Sequence, residues 1–595
     1  MPERLACPDT RQMRDRLRAL AADAVASWRA EGLQTGVRTA AALRREAAVL
    51  VARAAAPADL VGWMMVALVS EQWRERLAGV ASGKKLLLLP DCPRSAAGGE
   101  GMPGVCGPDC GIATIWAAAR DQGWVVESTS RAVAAIGSLL TGQYDGVLGV
   151  ARLRDLEKAF AMLPAFGFPI AAVPCEPVAV PTASCADALA KAAIDVDWVL
   201  GLLGVAGGAA APVGDYLPLL REAAGMFTPA AIVSLSGRLG VEGLLEAGPI
   251  EAAMAPLDAP AIVSGDFLGR GGKFLRPFVT LAAFDAVEAD LRDQPQPGPL
   301  GYAGDPAMIR ESAKAAAVAI EIFHKASLVH DDIEDDDPVR YGRQTLHREV
   351  GVPSAINAGD YLLGAGYRIM AALPGLDAGT IRDCLSILAD AHVRLARGQG
   401  AELWWRDAPA MGFPAGRPLS PGEALEIYGL KTSPAFEAAV ALGIRLAGLS
   451  PGAACDVARY ALHVGTGFQV LNDLKDWAGD VENDRRAASD LVGGRPTVMW
   501  ALALAGLPAA DATRLRGLAS AARGGSADDA AIVAAVAEAR HLYAKAGVVE
   551  QAAAIAAEQR RLAAAAIAGC RLRRLREVLE FLLDLAVPDG WAPGQ

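Results

Sequence analysis

Aromatic side chains are scarce, at 6% of the 595 residues. Positive charge is not in excess either. The formal net charge of −11 argues against nucleic acid as a partner. No apolar run is long enough to span a bilayer: "LVGWMMVALV", residues 60–69, has ten residues where a spanning helix needs about 20. No signal peptide is legible, because "MPERLACPDTRQMRDRLRAL" is charged throughout. A cytoplasmic protein without a transmembrane segment is the expectation, and there nine cysteines do not suggest a disulfide framework. Internal repeats and coiled-coil heptads are absent as well. What the chain has in quantity is alanine and glycine (63 glycines), with 53% hydrophobic residues. That composition suits closely packed helices, and the length suits two or three domains.

Two halves differ in their patterning. Residues 1–80 read as a helical segment. Over 81–205 short apolar runs ("KKLLLLPD", "GWVVES", "YDGVLGVA", "FPIAAVPC") alternate with helical patterns such as "GIATIWAAARDQ". Alternating strand and helix signals imply βαβ units and a parallel sheet. A small-residue stretch, "GVAGGAAAPVGD", opens an expected linker over 206–235. Residues 236–595 are patterned as helix nearly throughout. The predicted fold class is therefore multidomain: an N-terminal parallel-sheet α/β domain, then an all-α domain.

In the α/β half, Cys92, Cys106 and Cys110 fall in a glycine-rich loop after a predicted strand, with Cys175 and Cys185 further on. Clustered thiolates of this kind suit Zn²⁺ or an iron–sulfur cluster, with Cys185 or Cys175 as a fourth ligand. Buried, unligated cysteines would give the same pattern.

The helical half carries the sharper signal. "HDDIEDDDP" packs five aspartates and a glutamate into residues 331–337, behind the apolar "VAIEIFHKASLV". Asp331, Asp332 and Asp335 lie at i, i+1 and i+4, so Asp331 and Asp335 share a helix face. Like charges so placed repel unless cations offset them. Oxygen ligands in this arrangement suit Mg²⁺, which takes one or two carboxylates and completes its shell with substrate phosphates. A solvated acidic helix end would look similar. A second group, Asn472, Asp473 and Asp476 in "FQVLNDLKDWAGD", repeats the spacing, with Asp480 a turn on. Two facing acidic helix ends would cage metal around a diphosphate. Lys273, Arg276, Arg340, Lys431 and Thr432 are candidate phosphate contacts.

Over roughly residues 240–590 the chain resembles the trans-isoprenyl diphosphate synthase (polyprenyl synthetase) family. "GGKFLRP", "HDDIEDDDPVRYG", "TLHREVGVPSAINAGDYLLG", "GQGAEL", "KTS" and "FQVLNDLKD" follow in the family's order. The resemblance implies an all-α isoprenoid synthase bundle that homodimerises. It implies that Asp331, Asp332, Asp335, Asp473 and Asp476 bind Mg²⁺ and, through it, an allylic diphosphate. Arg340, Lys431 and Gln469 would contact that diphosphate, and Lys273, Arg276 and His324 would hold isopentenyl diphosphate. The implied reaction is ionisation of the allylic diphosphate followed by condensation with isopentenyl diphosphate. "LLLLPDC", "CGPDCGI" and "YDGVLGVARLRDLEKAF" resemble the cysteine-containing Domain of Unknown Function 116, with Ala151 where that family has a further cysteine.

Two positions depart from the synthase pattern. Tyr341 stands where the family has a second arginine for isopentenyl diphosphate, and Asn472 replaces the first aspartate of the second motif. A terpene synthase-like enzyme that ionises without elongating, or a non-catalytic prenyl-diphosphate-binding subunit, are the alternatives. Ser327 and Ala326, four and five positions before Asp331, are small, with Phe323 a turn further down. A floor built this way favours products of C20 or longer.

Overall fold

The computed structural model describes residues 7–8, 10–30, 40–90, 111–129, 138–139, 141–160, 167–175, 194–204, 216–246, 250, 254–293, 305–407, 418–477, 490–491, 494–495, 497–523 and 529–589. Cys92, Cys106, Cys110, Cys185 and Asp480 lie outside them. The chain is mostly helical with a small parallel sheet, and it divides into two compact units at Arg221/Glu222. Among the described residues no helix is long and apolar enough to cross a membrane.

In the first unit, helices α1 (Arg11–Ala30), α2 (Ala40–Arg53) and α3 (Val61–Ala78) precede β1 (Lys85–Leu89). Helix α4 (Gly111–Asp121) then leads to β2 (Trp124–Ser128), followed by β3 (Gly146–Arg152) and β4 (Ile170–Cys175). All pairings are parallel in the order β2-β1-β3-β4, with Leu86 opposite Val125 and Val150 opposite Val173. Every residue of β4 is buried, as expected of a parallel strand covered on both faces. One covering element is α3, buried on nearly all sides from Gly62 to Trp73. Its Ser70 hydroxyl both donates to the Ala172 carbonyl and accepts from the Ala172 amide, at 2.9 Å each. The first three helices thus share one hydrophobic core with the sheet. Cys175, at the end of β4, is buried, and burial pushes its thiol up to about 11. The expected linker at 206–235 carries helix in its second half, Leu217–Gly225 and the start of Pro229–Arg238. The apolar "LPLL" and the Thr228 cap ahead of Pro229 are local helix signals that the small-residue run before them obscured.

The second unit is helical. Its main elements are α5 (Ala259–Gly269), α6 (Leu275–Arg292), α7 (Pro306–Glu334), α8 (Val352–Ala371) and α9 (Ala378–Asp407). They continue with α10 (Pro421–Leu446), α11 (Val457–Asp476) and α12 (Val498–Gly506). A two-residue hairpin, β5 (Val339–Arg340) with β6 (Arg343–Gln344), follows α7. Ser420 and Glu423 close a capping box at the start of α10. The abundance of small residues has a specific use here. A Cβ on Gly398 of α9 would lie 2.6 Å from the Lys431 amide nitrogen, and one on Gly465 of α11 would lie 2.4 Å from the Ser433 hydroxyl. Both helices therefore press against α10 at the "KTS" segment, which draws the motif-bearing elements together.

Candidate active site

Helix α7 ends in the first acidic motif because Asp335 closes it as C-cap, its amide donating to the Asp331 carbonyl at 2.9 Å. Each carboxylate there has an assigned partner. Asp331 accepts from the Gln399 amide at 2.9 Å, and that amide also reaches Glu334 at 2.6 Å. Asp332, 1% exposed, accepts from the Arg340 guanidinium, whose Nε lies at 2.8 Å. Asp335 is held from both sides, by Arg406 at 2.9 Å and Arg495 at 2.6 Å.

Arg495 also joins the two acidic groups. Its other nitrogen pairs with Asp490 at 3.1 Å, and the Asp490 amide donates to Asp476 of α11 at 3.1 Å. Asp473, 4% exposed, accepts from the Tyr428 hydroxyl, which in turn accepts from the Val498 amide at 2.9 Å. Lys431 pairs with Glu402 at 2.8 Å. Thr432 donates to the Gln469 side-chain oxygen at 3.4 Å, and Asn472 is half-buried beside them on α11.

Burial dominates the electrostatics. It pushes Asp331 up, with Lys431 opposing and Asp335 adding, and it pushes Asp473 well above the carboxylate range, with Asp490 adding. Asp490 rises to about 6 for the same reasons, burial and Asp476. Burial works against the charge on Lys431, yet Glu402 and Asp331 hold its ammonium above the ordinary lysine value. His324 is held well below the imidazole range by burial and by Arg276, Lys325 and Arg340, so its ring is neutral.

The basic group gathers around His324, which Arg276, Lys325 and Arg340 all face. Arg276 and the exposed Lys273 follow the Gly271–Gly272 turn, and Phe274, at φ 48°, caps α6 there. Buried Lys325 donates to the Gly271 carbonyl, and its ammonium lies 4.1 Å from the centre of the Tyr341 ring. Further down α7, Phe323 meets the Tyr367 ring edge-on at 4.7 Å and the His392 ring at 5.4 Å. Ala326 is fully buried, whereas Ser327 is exposed with its hydroxyl on the His324 carbonyl at 2.8 Å.

Several contributors were not legible as site residues. Gln399 and Glu402 sit in "GQGAEL", a motif without an evident role until its partners are seen. Arg406 and Arg495 lie 71 and 160 positions from Asp335, so local spacing says nothing of their pairing. Lys325 and Glu321 read as parts of an apolar helix.

Among the described residues no three carboxylates, histidines or cysteines close into a metal cage. The acids are instead drawn onto arginine and glutamine donors. The group nevertheless fits Mg²⁺. The buried Asp332 Oδ2 has no hydrogen-bond partner, Asp331 is repelled by Asp335, and Asp473 by Asp490 and Asp476. A hard cation that takes only one or two protein carboxylates per ion suits such a set.

Paired acidic helix ends joined across a helical bundle, flanked by buried cations, define an enzyme of the prenyltransferase class. Residues 263–537 match the polyprenyl synthetase family. The relatives include a short chain isoprenyl diphosphate synthase of Methanothermobacter thermautotrophicus, 29% identical over 53% of this chain and 86% of that protein. A geranylgeranyl diphosphate synthase of Methanosarcina mazei is 31% identical over 38% of this chain and 62% of that protein. Among solved structures, geranylgeranyl pyrophosphate synthetase from Pyrococcus horikoshii Ot3 aligns with a TM-score of 0.47 at 25% identity, covering 62% of this chain and 98% of that one.

Proposed function

We propose that the chain condenses isopentenyl diphosphate with an allylic diphosphate in a Mg²⁺-dependent reaction, giving a trans-polyprenyl diphosphate of C20 or longer. The observation that carries this is the chain Asp335–Arg495–Asp490–Asp476, two ion pairs and a backbone hydrogen bond, which links the two acidic motifs. Asp331, Asp332, Asp335, Asp473 and Asp476 would hold Mg²⁺, which when bound supplies positive charge to the leaving diphosphate. Lys431, Arg340, Thr432 and Gln469 bind that diphosphate and orient it. Lys431 is suited to the task because its charge is maintained in a buried place. Departure of the diphosphate leaves an allylic cation. The double bond of isopentenyl diphosphate attacks that cation, and a proton passes to the departed diphosphate. His324, neutral, can donate one N–H to isopentenyl diphosphate beside Arg276 and Lys273 without adding charge. The apolar floor formed by Phe323 and Ala326 keeps water from the cation.

The direct experiment incubates purified protein with Mg²⁺, isopentenyl diphosphate and C10 to C20 allylic diphosphates, with products read by mass. Chains lengthened in five-carbon steps support the reading. Free terpene or alcohol, with isopentenyl diphosphate unconsumed, would overturn elongation.

A further inference from the structure

We propose that Lys325 supplies the positive charge of the isopentenyl diphosphate subsite that position 341 lacks, with the Tyr341 ring seated on its ammonium. This rests on the function proposed above and adds two residues to that site. The carboxylates at this flank are unevenly shared. Arg340 is matched by Asp332 and Asp337, and Arg270 and Arg343 together by Asp266 and Glu349. Arg276 and Lys325 remain, with Glu321 as the neighbouring carboxylate, and Arg276 has no ion pair among the described residues. Lys325 is 0% exposed, and a lysine is rarely buried so completely without full compensation. Two buried cations that share a single neighbouring carboxylate can accept an anion.

The local geometry aims that charge. The Lys325 ammonium donates to the Gly271 carbonyl of the turn that carries Lys273 and Arg276. Gly272 leaves no side chain between that turn and the ammonium, since even a Cβ there would stand 3.6 Å from it. Tyr341 adopts φ 55° at the first corner of the tight β5–β6 hairpin, ahead of Gly342 at φ 72°. A bulky residue in that region is strained, and the cation held against its ring offsets the strain. Burial lowers the Lys325 ammonium to about 8, which leaves it charged at neutral pH. A point charge beneath the ring acts across a medium of low polarity, where its attraction for phosphate is strong. It is a positioning residue for the substrate anion.

The test compares Lys325→Met, Tyr341→Arg and the double variant, with kcat and the KM of each substrate measured separately. Elongation by the wild type is the baseline, and its absence would reject the proposed function, not this assignment. Lys325→Met should raise the KM for isopentenyl diphosphate by roughly tenfold or more, with the allylic KM and kcat little changed. Adding Tyr341→Arg to it should restore the KM. Tyr341→Arg alone should bring no gain, because its guanidinium would stand against the ammonium already present. A folded Lys325→Met with unchanged KM, or with both KM values raised equally, overturns the proposal. If Lys325→Met does not fold, Tyr341→Arg decides: a roughly tenfold lower KM in that variant overturns the proposal, and an unchanged or higher one supports it.

Discussion

Asp335 accepts from two guanidinium groups at once, and this reverses an argument made from spacing alone. Repulsion between Asp331 and Asp335 suggests that removing either should relieve the fold. With Arg406 and Arg495 on Asp335, however, Asp335→Ala takes one carboxylate partner from each of two largely buried cations, leaving Asp407 and Asp490. The variant should lose turnover and also about 3 kcal/mol of stability, the scale for breaking a buried pair from one side. Urea unfolding of the metal-free protein checks it, and a variant as stable as the wild type would show that the arginines find other partners. At Tyr428 the hydroxyl serves both Asp473 and the Val498 amide. Tyr428→Phe should therefore cost about 1–3 kcal/mol and weaken Mg²⁺ dependence of turnover, read from a metal titration. Lys325 has a signed pH dependence. Burial holds its ammonium below the unfolded value of 10.5, at about 8, so its contribution to stability is full above 10.5 and is lost as pH falls through 8. The Tm difference, wild type minus Lys325→Met, should increase between pH 8 and 10.5, and a constant difference would contradict this burial.

On the proposed function, the element that sets product length is α7. Ala326 is fully buried five positions before Asp331, so Ala326→Tyr must displace its neighbours, at a cost of about 1–3 kcal/mol. If the tail runs along this helix, the ring should shorten the products while the first condensation proceeds. Phe323 lies a turn lower, with the Tyr367 and His392 rings against it. Phe323→Ala should lengthen the products by one or more five-carbon units and cost about 3–5 kcal/mol. Chain lengths by mass spectrometry decide both. Ser327, exposed and bonded to its own helix, should tolerate alanine with no change in product.

At the scale of the whole molecule, two units with separate cores share one chain. The acidic motifs, the basic group and the aromatic floor all belong to the second unit. A fragment starting at Tyr216 should therefore fold, judged by helical circular dichroism and a cooperative melt, and should elongate isopentenyl diphosphate. Loss of turnover in a folded fragment would assign the first unit a part in catalysis. Removal of Mg²⁺ by chelation should stop turnover and abolish the rise in Tm that diphosphate substrates confer in its presence, since a ligand stabilises only the state it binds.

Helical spacing is a local property, so the amino-acid order by itself determined which carboxylates share a face: Asp331 with Asp335, and Asn472 and Asp473 with Asp476. It also determined the alternation of strand and helix before residue 205, because a buried parallel strand must be an apolar run. Charge balance is different, since Coulomb energy and burial depend on distance in space. Nothing near Asp335 in sequence announces Arg406 or Arg495, and nothing in "IEIFHKASLV" marks Lys325 as the residue turned inward onto Tyr341. Those pairings, and with them the sign of the effect of removing Asp335, were decided only when α7, α9, α10 and α11 packed together.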